Sequence, residues 1–250
     1  MNLKGKIAIV SGGSRGIGRA TSKTLAQRGA KVIVNYLNNQ DAAQAVVDAI
    51  HSNGGEAAAF QADVRNESQI SNLISFTKET FGGRIDILVN NANVPFVRKP
   101  FTEISWSEFA QKLNDELKAA FTMTKAVIPS MIEQEYGRII YISSDLGKYP
   151  KPDFIAHGTA KGGIDTFAKY IASEFGPLGI TANVVAPGAT ETDAISRMPE
   201  QVKQAFRKNT PLRRMAQPDD LAAVVSFLAS DDSRFVTGSY TLVNGGMHME

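Results

Sequence analysis

Short runs of β-branched and aliphatic residues alternate along this chain with longer stretches in which apolar positions recur every three or four residues. The runs are KIAIVS (6–11), KVIVNY (31–36), AAAFQA (57–62), IDILVN (85–90), RIIYIS (138–143), ITANVVA (180–186) and SYTLVN (239–244). They are apolar at consecutive rather than alternate positions, which predicts strands covered on both faces, as in a parallel sheet. Between them, Ile17, Ala20 and Leu25, then Ile70, Leu73 and Ile74, have helical spacing. Strand–helix alternation on this scale predicts an α/β fold, a doubly wound sheet with helices on both faces. No linker, repeat or low-complexity stretch breaks the pattern. The segment richest in Pro and Gly, GKYPKPD (147–153), falls between a strand and a helix and reads as a loop, so residues 1–250 are expected to form a single domain.

Composition narrows the chemistry. At 43% hydrophobic and 21% charged, with a net charge of +2, the chain gives no reason to expect nucleic acid or membrane as its main partner. Absence of cysteine excludes disulfides and thiolate catalysis, and three scattered histidines, His51, His157 and His248, argue against a metal cluster. The opening MNLKGKIAIVSGG has too short an apolar run for a signal peptide, and no stretch approaches the ~20 apolar residues of a membrane span. The expectation is a soluble cytoplasmic protein.

The first strand runs straight into SGGSRGIG, with Gly12, Gly16 and Gly18 spaced G-x-x-x-G-x-G, and a helical pattern follows at once. Glycines between a first strand and a first helix allow a tight turn and let backbone N–H groups approach a pyrophosphate. Dinucleotide binding is the expectation. NAD sites usually end the second strand in an acid that holds the ribose 2′-hydroxyl. Here that strand ends in Asn35 and Tyr36, while Arg15 stands inside the glycine loop, where a guanidinium suits a 2′-phosphate. NADP(H) is therefore favoured over NAD; the alternative for Arg15 is an ordinary solvated charge.

With these motifs in view, the chain resembles the short-chain dehydrogenases/reductases over nearly its whole length. After the glycine loop come Asp63-Val64, then Asn90-Asn91-Ala92 after the fourth strand, Pro187-Gly188 after the sixth with Thr192 beyond, and VNGG (243–246) near the end. The resemblance implies a Rossmann-like sheet of about seven parallel strands, a nicotinamide cofactor and a homotetramer or homodimer. It further implies cofactor contacts from Gly12, Ser14, Arg15, Gly16, Ile17, Gly18, Asn35, Asp63, Val64, Asn90, Ala92, Lys161, Pro187, Gly188, Thr190 and Thr192, with Asp63-Val64 at the adenine. The nearest look-alikes are 3-oxoacyl-carrier-protein reductases, which reduce a β-ketone with NADPH.

The family's catalytic set is Asn, Ser, Tyr and Lys, with Tyr and Lys spaced Y-x-x-x-K. Carried over by position, Lys161 takes the lysine and Ser144 the serine, but the tyrosine position holds His157 and the asparagine position Glu116. Asn114 is two residues from Glu116, about 200° round a helix, and makes a poor substitute. The glycine that usually follows the NNA motif is Asn93, expected to serve because asparagine tolerates left-handed backbone. Imidazole next to the Lys161 ammonium is a poor acid at pH 7. A Glu116 carboxylate reaching that region would favour imidazolium, so His157 is expected to be the proton donor with Glu116 as compensating charge. Tyr149, in the intervening loop, is a lesser candidate donor, and Tyr141 belongs to a strand.

The segment after Pro187-Gly188, about 189–215, is where this family carries its substrate lid. Ala194, Ile195, Met198, Val202 and Phe206 give it an apolar side for an acyl group. Arg197, Lys203, Arg207, Lys208, Arg213 and Arg214 make it basic, suited to an acidic acyl carrier protein or simply to solvent. The leading expectation is an NADPH-dependent reductase of a 3-oxoacyl-like ketone or acyl thioester. The alternatives are an enoyl-thioester reductase and an NADP-binding pseudoenzyme. Some enoyl-reducing members place tyrosine seven residues before the lysine, where this chain has Phe154.

Overall fold

The computed structural model describes residues 1–196 and 198–249, with Ala194 described only in its backbone. All seven expected strands form: β1 (Ile7–Val10), β2 (Lys31–Tyr36), β3 (Glu56–Gln61), β4 (Ile87–Asn90), β5 (Gly137–Ile142), β6 (Ile180–Pro187) and β7 (Tyr240–Val243). They make one sheet in the order β3-β2-β1-β4-β5-β6-β7. Every neighbouring pair is parallel, with β1 flanked by β2 through Val10↔Val34 and by β4 through Val10↔Val89.

The unbroken apolar runs are explained by burial on both faces. In β1, Ala8 and Val10 face a core shared with Leu25, Val46, Leu221 and Val225, whereas Ile9 faces a second core with Leu73, Met123, Val127 and Ile164. The first core is roofed by α1 (Gly16–Gln27), α2 (Gln40–Ser52) and α8 (Pro218–Leu228), the second by α3 (Glu67–Phe81), α4 (Trp106–Glu133) and α5 (Ile155–Phe175). Helix α4 starts firmly because Ser105 and Glu108 form a reciprocal capping box. Two helices, α6 (Asp193–Ser196) and α7 (Glu200–Asn209), follow β6, in the segment where a lid is expected. Among the described residues no helix is long and apolar enough to cross a membrane.

Candidate active site

Because β1 has β2 on one side and β4 on the other, the loops leaving the C-terminal ends of β1 and β4 diverge and open a crevice. Asn91 holds its two walls together: its side-chain amide donates to the carbonyls of Ser11 (2.9 Å) and Gly12 (3.1 Å). The Ser11 hydroxyl accepts in return from the backbone N–H groups of Asn91 and Ala92. A Cβ on Gly18 would stand 2.2 Å from the Gly12 carbonyl oxygen, so this approach requires glycine. Gly12 and Gly16 have φ of +60° and +52°, which glycine adopts without strain.

The residues suit a dinucleotide on one further count. Helix α1 begins at Arg15 with no side-chain cap and no acid in its first turn, which leaves its leading N–H groups for an anion. Thr192 faces the loop, 3.4 Å from where a Gly16 Cβ would lie. Arg15 is exposed, Ser14 is buried in the loop, and Ile17 packs on the first core.

Other expected cofactor residues sit around the same edge in differing roles. Asn35 is buried and turned inward: its amide donates to the Ala62 carbonyl (3.0 Å) and its oxygen faces the Gly12 N–H at 3.4 Å. It supports the glycine loop from behind, and its side chain presents no free group to a ribose. Asp63 is gripped by Arg65, whose guanidinium also pairs with Asp115 at 2.7 Å. Those Arg65 bonds hold the Asp63 carboxyl below its ordinary range. Val64 packs on the second core, and its carbonyl accepts from Thr122. Asn90 lies by Thr124, and Thr190 is buried with its hydroxyl on the Gly188 carbonyl. Gly188, just past Pro187 at the end of β6, is packed so closely that a Cβ would meet Asn244 at 2.8 Å.

At the adjoining chemical end, α4 and α5 deliver a buried charged triad. Glu116 Oε1 lies 2.6 Å from Lys161 Nζ, and Glu116 Oε2 lies 2.5 Å from Lys112 Nζ. Lys161 also donates to the Ile142 carbonyl at 2.9 Å. Burial alone would raise the Glu116 pKa, yet the two ammonium groups hold it at about 2. Glu116 therefore reaches the Lys161 region as expected, and Asn114 is exposed.

His157 departs from expectation. Burial, then the positive charges of Lys161 and Lys112, push its pKa down to about 3, and Glu116 only partly opposes them. The carboxylate is occupied by two lysines, so the ring is a neutral imidazole at pH 7 rather than an imidazolium donor. Among the described residues its buried Nδ1 has no hydrogen-bond partner, and Phe96 stacks on the ring with centroids 4.4 Å apart. Ser144 sits at the start of a short 3-10 turn, Asp145–Gly147, where its hydroxyl accepts from the Leu146 N–H at 3.2 Å.

Three side expectations also resolve. Asn93 is not among the residues with positive φ; its side-chain oxygen instead accepts from Lys112 at 3.0 Å. Tyr149 stacks on His248 and donates to the Met249 carbonyl, so it is engaged away from His157. Tyr141 lies in β5, fully buried, its hydroxyl 2.9 Å from that of Thr124.

The segment expected to form a lid has fewer unpaired cations than its sequence suggests. Arg207 pairs with Glu191 and Glu200, Lys203 with Glu200, and Arg214 with Asp220. Arg197 and the Ala194 side chain lie outside the described residues. Sequence reasoning missed Lys112, Phe96 and the tying role of Asn91. The four-residue spacing of Lys112 and Glu116 was the available signal for the first.

Comparison with known proteins follows the same lines. The family model described as Enoyl-(Acyl carrier protein) reductase matches residues 12–248. A 3-oxoacyl-(acyl-carrier-protein) reductase of Synechocystis is 39% identical over 249 residues, covering 99% of this chain and 98% of that protein. The enzyme of the same description from Escherichia coli is 36% identical over 251 residues, spanning 100% of both. The crystal structure of a dehydrogenase/reductase from Sinorhizobium meliloti superposes with a TM-score of 0.91 at 35% identity, covering 99% of this chain and 97% of that one.

Proposed function

This chain belongs to the short-chain dehydrogenase/reductase family, and from that premise we propose that it is an NADPH-dependent oxidoreductase reducing the ketone of a 3-oxoacyl-like substrate. The observation that carries the reading is one of place. The glycine loop with its uncapped helix start, and the Ser144, His157 and Lys161 set, stand together at the C-terminal edge of the sheet.

When bound, the reduced nicotinamide supplies a hydride to the carbonyl carbon. The protein's task is the oxygen. A neutral imidazole serves here as an electrophile, donating its N–H to the oxygen as negative charge develops, a role documented for histidines whose pKa is lowered. Ser144 gives a second hydrogen bond to the same oxygen. The Lys161 ammonium, one helical turn beyond His157 and paired with Glu116, returns the proton that the ring gives up.

Ketone reduction is preferred to enoyl reduction because Phe154, at the position where some enoyl-reducing members carry a tyrosine, has no hydroxyl. Its ring instead lies beside Phe96 and under the Arg98 guanidinium. The match to 3-oxoacyl reductases supports the same substrate class. An acyl carrier protein remains a partner in this reading, docking on Lys208 and Arg213, which have no carboxylate partner among the described residues. Exposed Phe121 on α4 and Tyr170 on α5 offer apolar surface for a homo-oligomer.

The test is NADPH consumption with a 3-oxoacyl thioester and, in parallel, the matching enoyl thioester. Turnover of the ketone to a 3-hydroxyacyl product supports the reading. Faster turnover of the enoyl substrate moves it to the second reading, and coenzyme binding without turnover of either refutes catalysis.

A further inference from the structure

Lys112 is the least expected member of the site. Its side chain is only 1% exposed, on the α4 face that points at the loop after β4, and none of the cofactor or proton steps above uses it. An ammonium so deeply buried is costly unless each of its three N–H bonds is met. All three are: Lys112 donates to Glu116 Oε2 (2.5 Å), to the Val94 carbonyl (2.8 Å) and to the Asn93 side-chain oxygen (3.0 Å). The Val94 N–H faces back to the same Glu116 oxygen at 3.3 Å. Two residues further on, Phe96 lies flat on His157, with the Lys112 ammonium 5.3 Å from its ring centre.

We infer that Lys112 is a positioning residue that clamps the 93–96 loop to α4 and thereby seats Phe96 on His157, making residues 93, 112, 116 and 157 one coupled unit. Each departure from the family pattern then has a physical partner. Asn93 supplies an acceptor that glycine lacks. Glu116 supplies the negative charge that a second buried ammonium requires, and it closes the loop through Val94. The imidazole is smaller than a phenol, and the Phe96 ring covers it. The role of a loop–helix clamp differs from charge balance alone, because it depends on where the three hydrogen bonds go.

Only the kinetic part of the test rests on the reductase reading. The structural part uses proton NMR of the His157 ring, assigned against His51→Gln and His248→Gln variants, since a stacked Phe96 shifts its ring protons. Lys112→Met should return those protons towards their unstacked positions, and Asn93→Ala, a change at an exposed site, should do so partially. The double variant Lys112→Met with Glu116→Gln keeps the net charge of the native triad without the clamp, and should leave the stack lost. In the kinetic part, Lys112→Met should lower kcat/KM for the ketone roughly 10–100-fold, mostly through KM, with coenzyme Kd unchanged. Unmoved ring protons in both Lys112→Met and Asn93→Ala would overturn the inference, as would full recovery in the double variant. Should Lys112→Met not fold, Asn93→Ala decides by itself. A wild-type protein that shows the stacked signature but turns over no ketone would refute the proposed function and leave the clamp standing.

Discussion

Phe96 lies face to face with His157, the two ring centres 4.4 Å apart and their planes 20° from parallel. The contact removes water from one face of the imidazole and adds to the burial that, with Lys161 and Lys112, favours its neutral form. The consequence for pH is direct. With the His157 pKa at about 3, kcat/KM for a ketone should be flat from pH 5 to 8 so far as this residue is concerned. A fall in activity centred near pH 6.5 would show that the imidazolium is the working form.

Stability should carry an acid-side signature of the same group. Between the ordinary histidine value of 6.5 and the folded value of about 3, the unfolded chain binds the extra proton, so stability falls as pH drops through that window. His157→Phe should remove that dependence, read as a shallower loss of denaturation midpoint below pH 6.5. Asp165 works in the opposite sense. Burial raises its pKa to about 6 against the pull of Ser143 and Lys161, so its folded form holds the proton and loses relative stability as pH rises from 3.8 to 6. Asp165→Asn should therefore gain stability at pH 7 relative to the parent, measured by denaturant unfolding.

Glu116 is the anion between two buried ammonium groups, and removing its charge strands both. Glu116→Gln should cost about 3–5 kcal/mol in unfolding free energy, in line with breaking a buried ion pair. A loss below 1 kcal/mol would mean that the lysines find water or other partners.

Gly18→Ala tests the dinucleotide cradle. The added Cβ would meet the Gly12 carbonyl oxygen at 2.2 Å, and backbone must move to relieve it. Overpacking of this kind costs about 1–3 kcal/mol, and here the moving part is the loop before α1. Coenzyme affinity, followed by calorimetry, should fall at least as steeply as stability.

The proposed preference for a 2′-phosphate is tested at Arg15, which is exposed and lies at the start of α1. Arg15→Ala should weaken NADPH binding roughly tenfold, the scale of one charge-assisted contact. NADH binding should hardly change. Equal losses for both coenzymes would assign Arg15 to loop structure instead.

Much of this architecture was already written in the order of residues. Runs such as IAIV and VVA, apolar at every position, fix parallel strands because only a sheet roofed on both faces has room for them. The glycine spacing fixes the turn before α1, since no other side chain fits beside the Gly12 carbonyl. That Glu116 and His157 stand near Lys161 in the chain's pattern was equally legible by position. What the sequence alone could not supply was how their charges add up. A histidine four residues from a lysine reads differently once a second lysine, 45 residues earlier, is folded into the same buried space. Tertiary packing brought Lys112 to Glu116 and laid Phe96 on the imidazole, and burial then decided which groups keep their charge. Desolvation and Coulomb energies depend on distance and enclosure, which linear spacing does not encode.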